Sequence, residues 1–164
     1  MIAIPISAYP LHKGHVALFE TVAGMFTSSY VTFLIADNPE KEYVYDRMQF
    51  FQDNQIYPAY KVDGLVGDYC RQHGVDCLAR GIRDSTDFEY EKRLSDFNLH
   101  NFGVRTIFVP ARNDVQHISS TAIRELLKYG MFQTASNMCP EGMEYALRAL
   151  EEYYSQKRKE CQNV

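Results

Sequence analysis

Short runs of β-branched and apolar residues alternate along the chain with stretches whose apolar positions recur every three or four residues. The runs are Ile2 to Ser7, Tyr30 to Ala36, Ala59 to Val62, Val75 to Ala79 and Val104 to Val109. Between them, Val16, Phe19, Val22 and Phe26 are spaced as one helical face, as are Met48, Phe51 and Ile56, then Leu65, Tyr69 and His73, then Phe88, Leu94, Phe97 and Leu99. Strands that are apolar on both faces and lie about a dozen or more residues apart pair in parallel through right-handed crossovers. The pattern predicts an α/β, Rossmann-like fold: a five-stranded parallel sheet with helices on both faces.

The last third reads as a C-terminal helical segment. Ile118-Ser119-Ser120-Thr121 leads into a short helix through Lys128, with Gly130 as its stop. After the break at Pro140-Glu141-Gly142, the residues Met143, Ala146, Leu147, Leu150 and Tyr154 predict a terminal helix over 141–159. With no repeat or linker, residues 1–164 are expected to form a single domain.

Composition narrows the classes. Apolar residues make up 46% and charged ones 23%, which suits an ordered globular chain. Seventeen basic against 21 acidic side chains give a net charge of −4, the wrong sign for gripping a nucleic-acid backbone, so no nucleic-acid partner is expected. No apolar run nears the roughly 20 residues that span a bilayer, so no membrane partner is expected. Met1-Ile2-Ala3-Ile4 lacks the basic region of a secretory signal and reads as a first strand. Cys70, Cys77, Cys139 and Cys161 match neither a zinc pair nor a Cys-x-x-Cys, and free thiols in a cytoplasmic protein are the expectation.

Open parallel sheets bind ligands beyond the carboxyl ends of their strands. No dinucleotide or P-loop glycine motif occurs there. The first strand instead runs into Ser7-Ala8-Tyr9-Pro10-Leu11-His12-Lys13-Gly14-His15, a loop entering a helix with two histidines three apart. A helix start offers unpaired N–H groups and partial positive charge, Gly14 would let a phosphate approach the backbone, and the imidazoles add donors. Alone, the pair reads equally as capping, whereas a zinc site would need further ligands that no nearby cluster supplies. After the fourth strand, Arg80 and Arg83 flank a Gly81-Ile82 turn and suit phosphate oxygens; the competing reading pairs them with Asp84, Asp87 or Glu91. Ser119, Ser120 and Thr121 again combine hydroxyls with a helix start, a pattern that also suits a plain N-cap. Lys41 follows the second strand as a further candidate cation.

The His12-Lys13-Gly14-His15 box, the run from Arg80 to Glu91 and the Ile118-Ser119-Ser120-Thr121 box, in that order, resemble the nucleotidyltransferases with a His-x-Gly-His signature, and among them the phosphopantetheine adenylyltransferase family. The first and third boxes are shared across the superfamily; the Arg80-to-Glu91 run discriminates. The resemblance covers about residues 2–150. It implies AMP transfer from ATP to 4′-phosphopantetheine, giving dephospho-coenzyme A and pyrophosphate, with magnesium carried by the nucleotide and no metal ligand from the protein. It also implies a homo-oligomer, a hexamer in this family. Position by position, it gives His15 and His12 to the transition state and phosphates, Lys41 to the two reacting phosphates, and Arg83 to catalysis. Ser7 would touch both substrates, Arg80 the pantetheine phosphate and Val66 the pantetheine arm. The ATP site would draw on Ala8, Gly81, Ile82, Arg83, Glu91 and Val115, with Ser119, Ser120 and Thr121 at the triphosphate.

The chain departs from that family at Ile6-Ser7-Ala8-Tyr9-Pro10, where the usual pattern is Gly-Thr/Ser-Phe-Asp-Pro, and at Val115, where a tryptophan is usual. A β-branched Ile6 bars the backbone approach that glycine permits. Two alternatives stand beside the first: a nicotinamide mononucleotide adenylyltransferase, a group that the run from Ser119 to Arg124 would also suit, and a nucleotide-binding module that has lost turnover through the changed first loop.

Overall fold

The computed structural model describes residues 1–26 and 30–162. Five strands, β1 (Ile2–Ile6), β2 (Val31–Ala36), β3 (Ala59–Val62), β4 (Cys77–Ile82) and β5 (Arg105–Pro110), form one parallel sheet in the order β3-β2-β1-β4-β5. Seven helices follow the strands: α1 (Lys13–Met25), α2 (Gln49–Asp53), α3 (Val66–Gln72), α4 (Ser85–Phe102), α5 (Ser120–Lys128), α6 (Phe132–Asn137) and α7 (Glu144–Gln162). The Rossmann-like sheet and C-terminal helix that the hydrophobic pattern predicts are both present.

Strand alternation sorts the core onto the two faces of the sheet. Ile2, Ile4 and Ile6 of β1 and Val31, Phe33 and Ile35 of β2 join the larger cluster with α1, α2 and α5 to α7. Ala3 and Leu34 point the other way, into a smaller cluster with Val62, Cys70, Leu78 and Val104 under α3 and the end of α4. Side chains such as Phe33 and Leu34 are fully buried, each stabilising the fold by roughly 2–3 kcal/mol relative to exposure. Cys70, Cys77 and Cys139 are free thiols. No helix among the described residues is long and apolar enough to cross a membrane.

Strand order reverses between β1 and β4, and there the ladder is short. Paired residues are only Ile2 with Cys77 and Ala3 with Leu78. Within a parallel strand a residue's N–H and C=O point to the same side. The Pro5 carbonyl accepts from the Arg80 guanidinium on β4, so the N–H that proline lacks is missing on that same side. The two strands part beyond Ala3, and the gap opens where the loops converge.

Several elements differ from their sequence-based bounds. β4 starts two residues late and continues through Arg80, Gly81 and Ile82, which pair with Phe108, Val109 and Pro110. The expected Gly81-Ile82 turn is therefore strand. An arginine and a glycine read as turn-forming in isolation, but here pairing to β5 extends the strand. α4 carries a second correction: Phe88, Leu94, Phe97 and Leu99 are exposed, and its one buried residue is Glu91. The helix lays its polar seam, not its apolar positions, against the sheet. α6 was not anticipated, since its six residues bury only Ala135 and show no period. The terminal helix begins at Glu144, three residues later than expected, and extends to Gln162.

α3 and α4 meet over Gly67, where a Cβ would lie 2.2 Å from Phe102 Cδ2 and 2.7 Å from Asn98 Oδ1. Gly67→Ala is expected to cost about 1–3 kcal/mol through displacement of Phe102, read as a lower urea midpoint with an unchanged slope.

Candidate active site

Loops from the carboxyl ends of the strands enclose a cavity of about 740 Å³ above the gap between β1 and β4, within the usual range for small-molecule sites. The first loop supplies Ser7, and the start of α1 supplies His12, Gly14 and His15. Lys41 comes from the loop after β2 and Val66 from α3. β4 and its exit give Arg80, Gly81 and Arg83, α4 gives Glu91, and Val115 with Ser119, Ser120 and Thr121 closes the far side. Most of the residues singled out in the sequence therefore share one hollow. Ala8 and Ile82 do not line it. Ala8 is buried with φ 45, an uncommon backbone region for a residue other than glycine, and packs into the core. Ile82 continues β4.

His12 is the N-cap of α1. Its Nδ1 accepts from the Gly14 N–H at 3.1 Å, and its own backbone N–H donates to His15 Nδ1 at 3.2 Å, a reciprocal capping box. The two rings stack with centroids 3.7 Å apart. With both Nδ1 atoms accepting, the network assigns the proton of each neutral ring to Nε2. Burial, and then the Arg83 guanidinium, pushes His12 down to about 3; burial, His12 and the cations Arg80, Lys41 and Arg83 hold His15 well below the ordinary histidine value. Capping and function thus do not compete, because the cap uses Nδ1 and leaves each Nε2–H as a neutral donor. Gly14, which lines the cavity, has a further reason to lack a side chain. A Cβ there would lie 2.9 Å from His12 Cε1, so its missing side chain makes room for the imidazole ring.

The serine box caps its helix as well. Ser119 Oγ caps α5 by accepting from the Ala122 N–H at 3.1 Å, and Ser120 Oγ donates to the Pro10 carbonyl at 2.8 Å. The Ser120 proton is thereby engaged, whereas Ser119 only accepts and keeps its O–H for a ligand. The helix start also keeps the backbone N–H groups of Ser120 and Thr121, which have no intrahelical acceptor.

The arginines are paired as the competing reading allowed. Arg80 forms a two-pronged bridge to Glu91, with Nε at 2.6 Å and a second nitrogen at 2.5 Å. Glu91 thereby acts as the positioner of Arg80, at the point where α4 crosses β4. Arg83 is held by Asp87 at 2.6 and 3.0 Å, which raises the guanidinium above its ordinary value and lowers the carboxyl. Lys41 differs: its ammonium donates to Ser7 Oγ at 3.0 Å and has no carboxylate partner among the described residues. Burial, followed by Arg124 and Arg47, lowers it.

Two functional side chains escaped sequence reasoning. Arg47, 8% exposed, donates to the Ser7 carbonyl at 2.7 Å and the Ala36 carbonyl at 2.9 Å, pairs with Asp37, and lies 3.7 Å over the Tyr43 ring. It ties the ends of β1 and β2 together. Nothing in the sequence around it marks it. Arg124 lies three residues after Thr121, on the same helical face, and that spacing was the available signal. It donates to Thr121 Oγ1 at 3.3 Å and to the Tyr9 carbonyl at 2.5 Å, again without a carboxylate partner among the described residues. Tyr9, standing where the family has an acid, turns away from this cavity and stacks on Tyr45 with centroids 5.4 Å apart.

This arrangement, neutral imidazole donors and helix-start N–H groups beside two cations that have no carboxylate partner among the described residues, at the switch point of a parallel sheet, suits the phosphates of a nucleotide; residues 9–126 match the Cytidylyltransferase-like family, and the chain is a nucleotidyltransferase. The chain is 34% identical over 130 residues to a phosphopantetheine adenylyltransferase of Paenarthrobacter aurescens, covering 74% of this chain and 77% of the relative. It is 31% identical over 138 residues to that of Porphyromonas gingivalis, covering 81% and 89%. Among solved structures, Thermotoga maritima TmcAL bound with alpha-thio ATP is similar at a TM-score of 0.62 and 12% identity, over 96% of this chain and 56% of that one, a likeness of fold. The chain belongs to the phosphopantetheine adenylyltransferase family.

His12 has a depressed pKa in the folded state, so between about 6.5, the unfolded value, and about 3 the unfolded chain binds the extra proton. Stability should fall as pH drops through that window, by up to about 1.4 kcal/mol per pH unit for this group. His12→Asn keeps a capping acceptor without titrating. Urea unfolding of the variant from pH 7 to 4 should show a slope smaller than wild type by about one proton.

Proposed function

We propose that the chain transfers AMP from ATP to 4′-phosphopantetheine, giving dephospho-coenzyme A and pyrophosphate, with residues 1–164 acting as one catalytic domain in the cytoplasm. The observation that carries the reading is the pair of cations, Lys41 and Arg124, that face the cavity without carboxylate partners among the described residues. An anionic substrate is what such groups lack. The relatives' shared name supplies the identity of the two substrates.

In this reaction an oxygen of the pantetheine phosphate bonds to the α-phosphorus of ATP. The bond from that phosphorus to the bridging oxygen breaks, and its electron pair leaves on pyrophosphate. No enzyme nucleophile is needed; the protein aligns two anions and balances charge as it moves. Lys41, steadied by Ser7 Oγ, lies where it can contact both reacting phosphates. The Nε2–H groups of His12 and His15 donate without carrying charge, and their low proton affinity keeps them neutral through the physiological range. The Ser120 and Thr121 N–H groups receive the triphosphate, with Arg124 beside them. Arg80, aimed by Glu91 and the Pro5 carbonyl, faces the pantetheine phosphate, and Val66 flanks the arm.

Magnesium would be carried by the nucleotide. Of the carboxylates lining the cavity, Asp37, Asp87 and Glu91 are each paired with an arginine and Glu40 stands without an ion pair among the described residues, and no three metal-ligating side chains converge among the described residues. The bound ion would add charge neutralisation at the phosphates. The exposed Phe88, Leu94, Phe97 and Leu99 of α4 support self-association, the hexamer of the family.

Pyrophosphate release is expected with ATP, magnesium and 4′-phosphopantetheine, and none with nicotinamide mononucleotide. Release with the second substrate alone would reassign the enzyme, and ATP binding without release would make it a binding module. Lys41→Met is expected to lower turnover on the order of 10²–10³ with an unchanged circular dichroism spectrum, and so is His15→Ala. A near wild-type rate in either would remove the role given to that residue.

A further inference from the structure

A second cavity, of about 770 Å³, lies between the loop at 40–42, α5 and the last turns of α7. Lys41 and Arg124 line both cavities, which makes them a shared wall. The second is otherwise built of Tyr9, Tyr129, Tyr153 and Tyr154 with Lys128, Lys157 and Arg158. Five cations line it against two carboxylates, Glu40 and Glu42. Glu42 is already engaged, accepting from the Tyr153 hydroxyl at 2.6 Å and lying 3.5 Å from Lys157. Lys157 lies 4.5 Å from the Tyr153 ring centroid, and Lys128 5.5 Å from that of Tyr154.

Tyr9 is the independent sign of a ligand. It is 4% exposed, and its hydroxyl is buried with no hydrogen-bond partner among the described residues. Buried hydroxyls are nearly always paired. Tyr9 lines the second cavity together with Tyr153, Tyr154 and Arg124, and the Arg124 guanidinium lies 5.7 Å from its ring centroid.

We propose that this cavity binds a small aromatic phosphate, its ring among the tyrosines and its phosphate between Arg124 and Lys128, accepting a hydrogen bond from the Tyr9 hydroxyl. Charge sets the sign of the ligand, and the tyrosines, with two of their rings already beside ammonium groups, set its planar part. Because Arg124 also faces the first cavity, an anion here competes for that cation, so the site couples to whatever fills its neighbour. The proposal does not depend on which substrates the first cavity takes.

Calorimetric titration of the full chain with phenyl phosphate tests it. A Kd on the order of 1 mM is expected for so small a ligand, with inorganic phosphate, which has no ring, binding more weakly. Tyr9→Phe deletes only the hydroxyl, and Lys128→Gln removes one half-buried charge, now paired with Glu125 at 2.6 Å, without adding a carboxylate; neither residue lines the first cavity. Each should weaken phenyl phosphate about three- to tenfold, while the thermal midpoint of Tyr9→Phe stays equal to or above that of wild type. The site would be refuted by wild-type protein that shows no binding at about 10 mM, roughly tenfold above the expected Kd. Unchanged affinity in either variant would refute it equally.

Discussion

The parting of β1 from β4 is the constraint on which the rest of this structure depends. A proline in the central strand withdraws one donor from the ladder, and the sheet opens at the one place where its strand order reverses. The gap must then be held. Arg80 does so from β4 by reaching the Pro5 carbonyl, and Glu91 fixes Arg80 from α4. On the other side Arg47 donates to carbonyls at the ends of β1 and β2. Arg80 thus replaces lost backbone pairing with charge-assisted hydrogen bonds, which are stronger than neutral ones, while Arg47 secures the end of the intact β1–β2 ladder, and the hollow that a continuous β1–β4 ladder would close stays open.

Within that hollow, groups that look chemical are largely spent on architecture. The Nδ1 atoms of both histidines cap α1, the Ser119 oxygen and the Ser120 hydroxyl fix α5, and Arg80 and Arg83 are held by carboxylates. What remains for an anion is a smaller set: two imidazole N–H groups, the Ser119 O–H, the helix-start amides, the ammonium and guanidinium of Lys41 and Arg124, and the guanidinium N–H groups of Arg80 that Glu91 and Pro5 leave unused. Preorganisation explains this division. Donors already fixed by other bonds need not reorganise when phosphate arrives, and fixed donors are what stabilises charge in flight.

The altered first loop has a local effect rather than a destructive one. Tyr9 leaves the cavity and joins Tyr43 and Tyr45 in an aromatic cluster, while Ser7 keeps its contact with Lys41. Ile6 packs into the core while still edging the cavity. The chain has exchanged an acid near the site for a phenol facing its neighbour.

The alternation of apolar runs with helical periods was enough to determine five parallel strands, their order of appearance and the helix that starts at the serines, because burial on both sheet faces demands continuous apolar strands. Motif spacing likewise picked out His12, His15, Lys41 and the serine box, since residues at strand ends are brought to one edge by topology alone. Tertiary structure decided the rest. Pairing to β5 made strand of Arg80 and Gly81, contact with β4 turned the polar seam of α4 inward, and Arg47 became a tie between strands distant in sequence. None of these has a local period or a turn preference to betray it, for each depends on a partner that only the folded chain supplies.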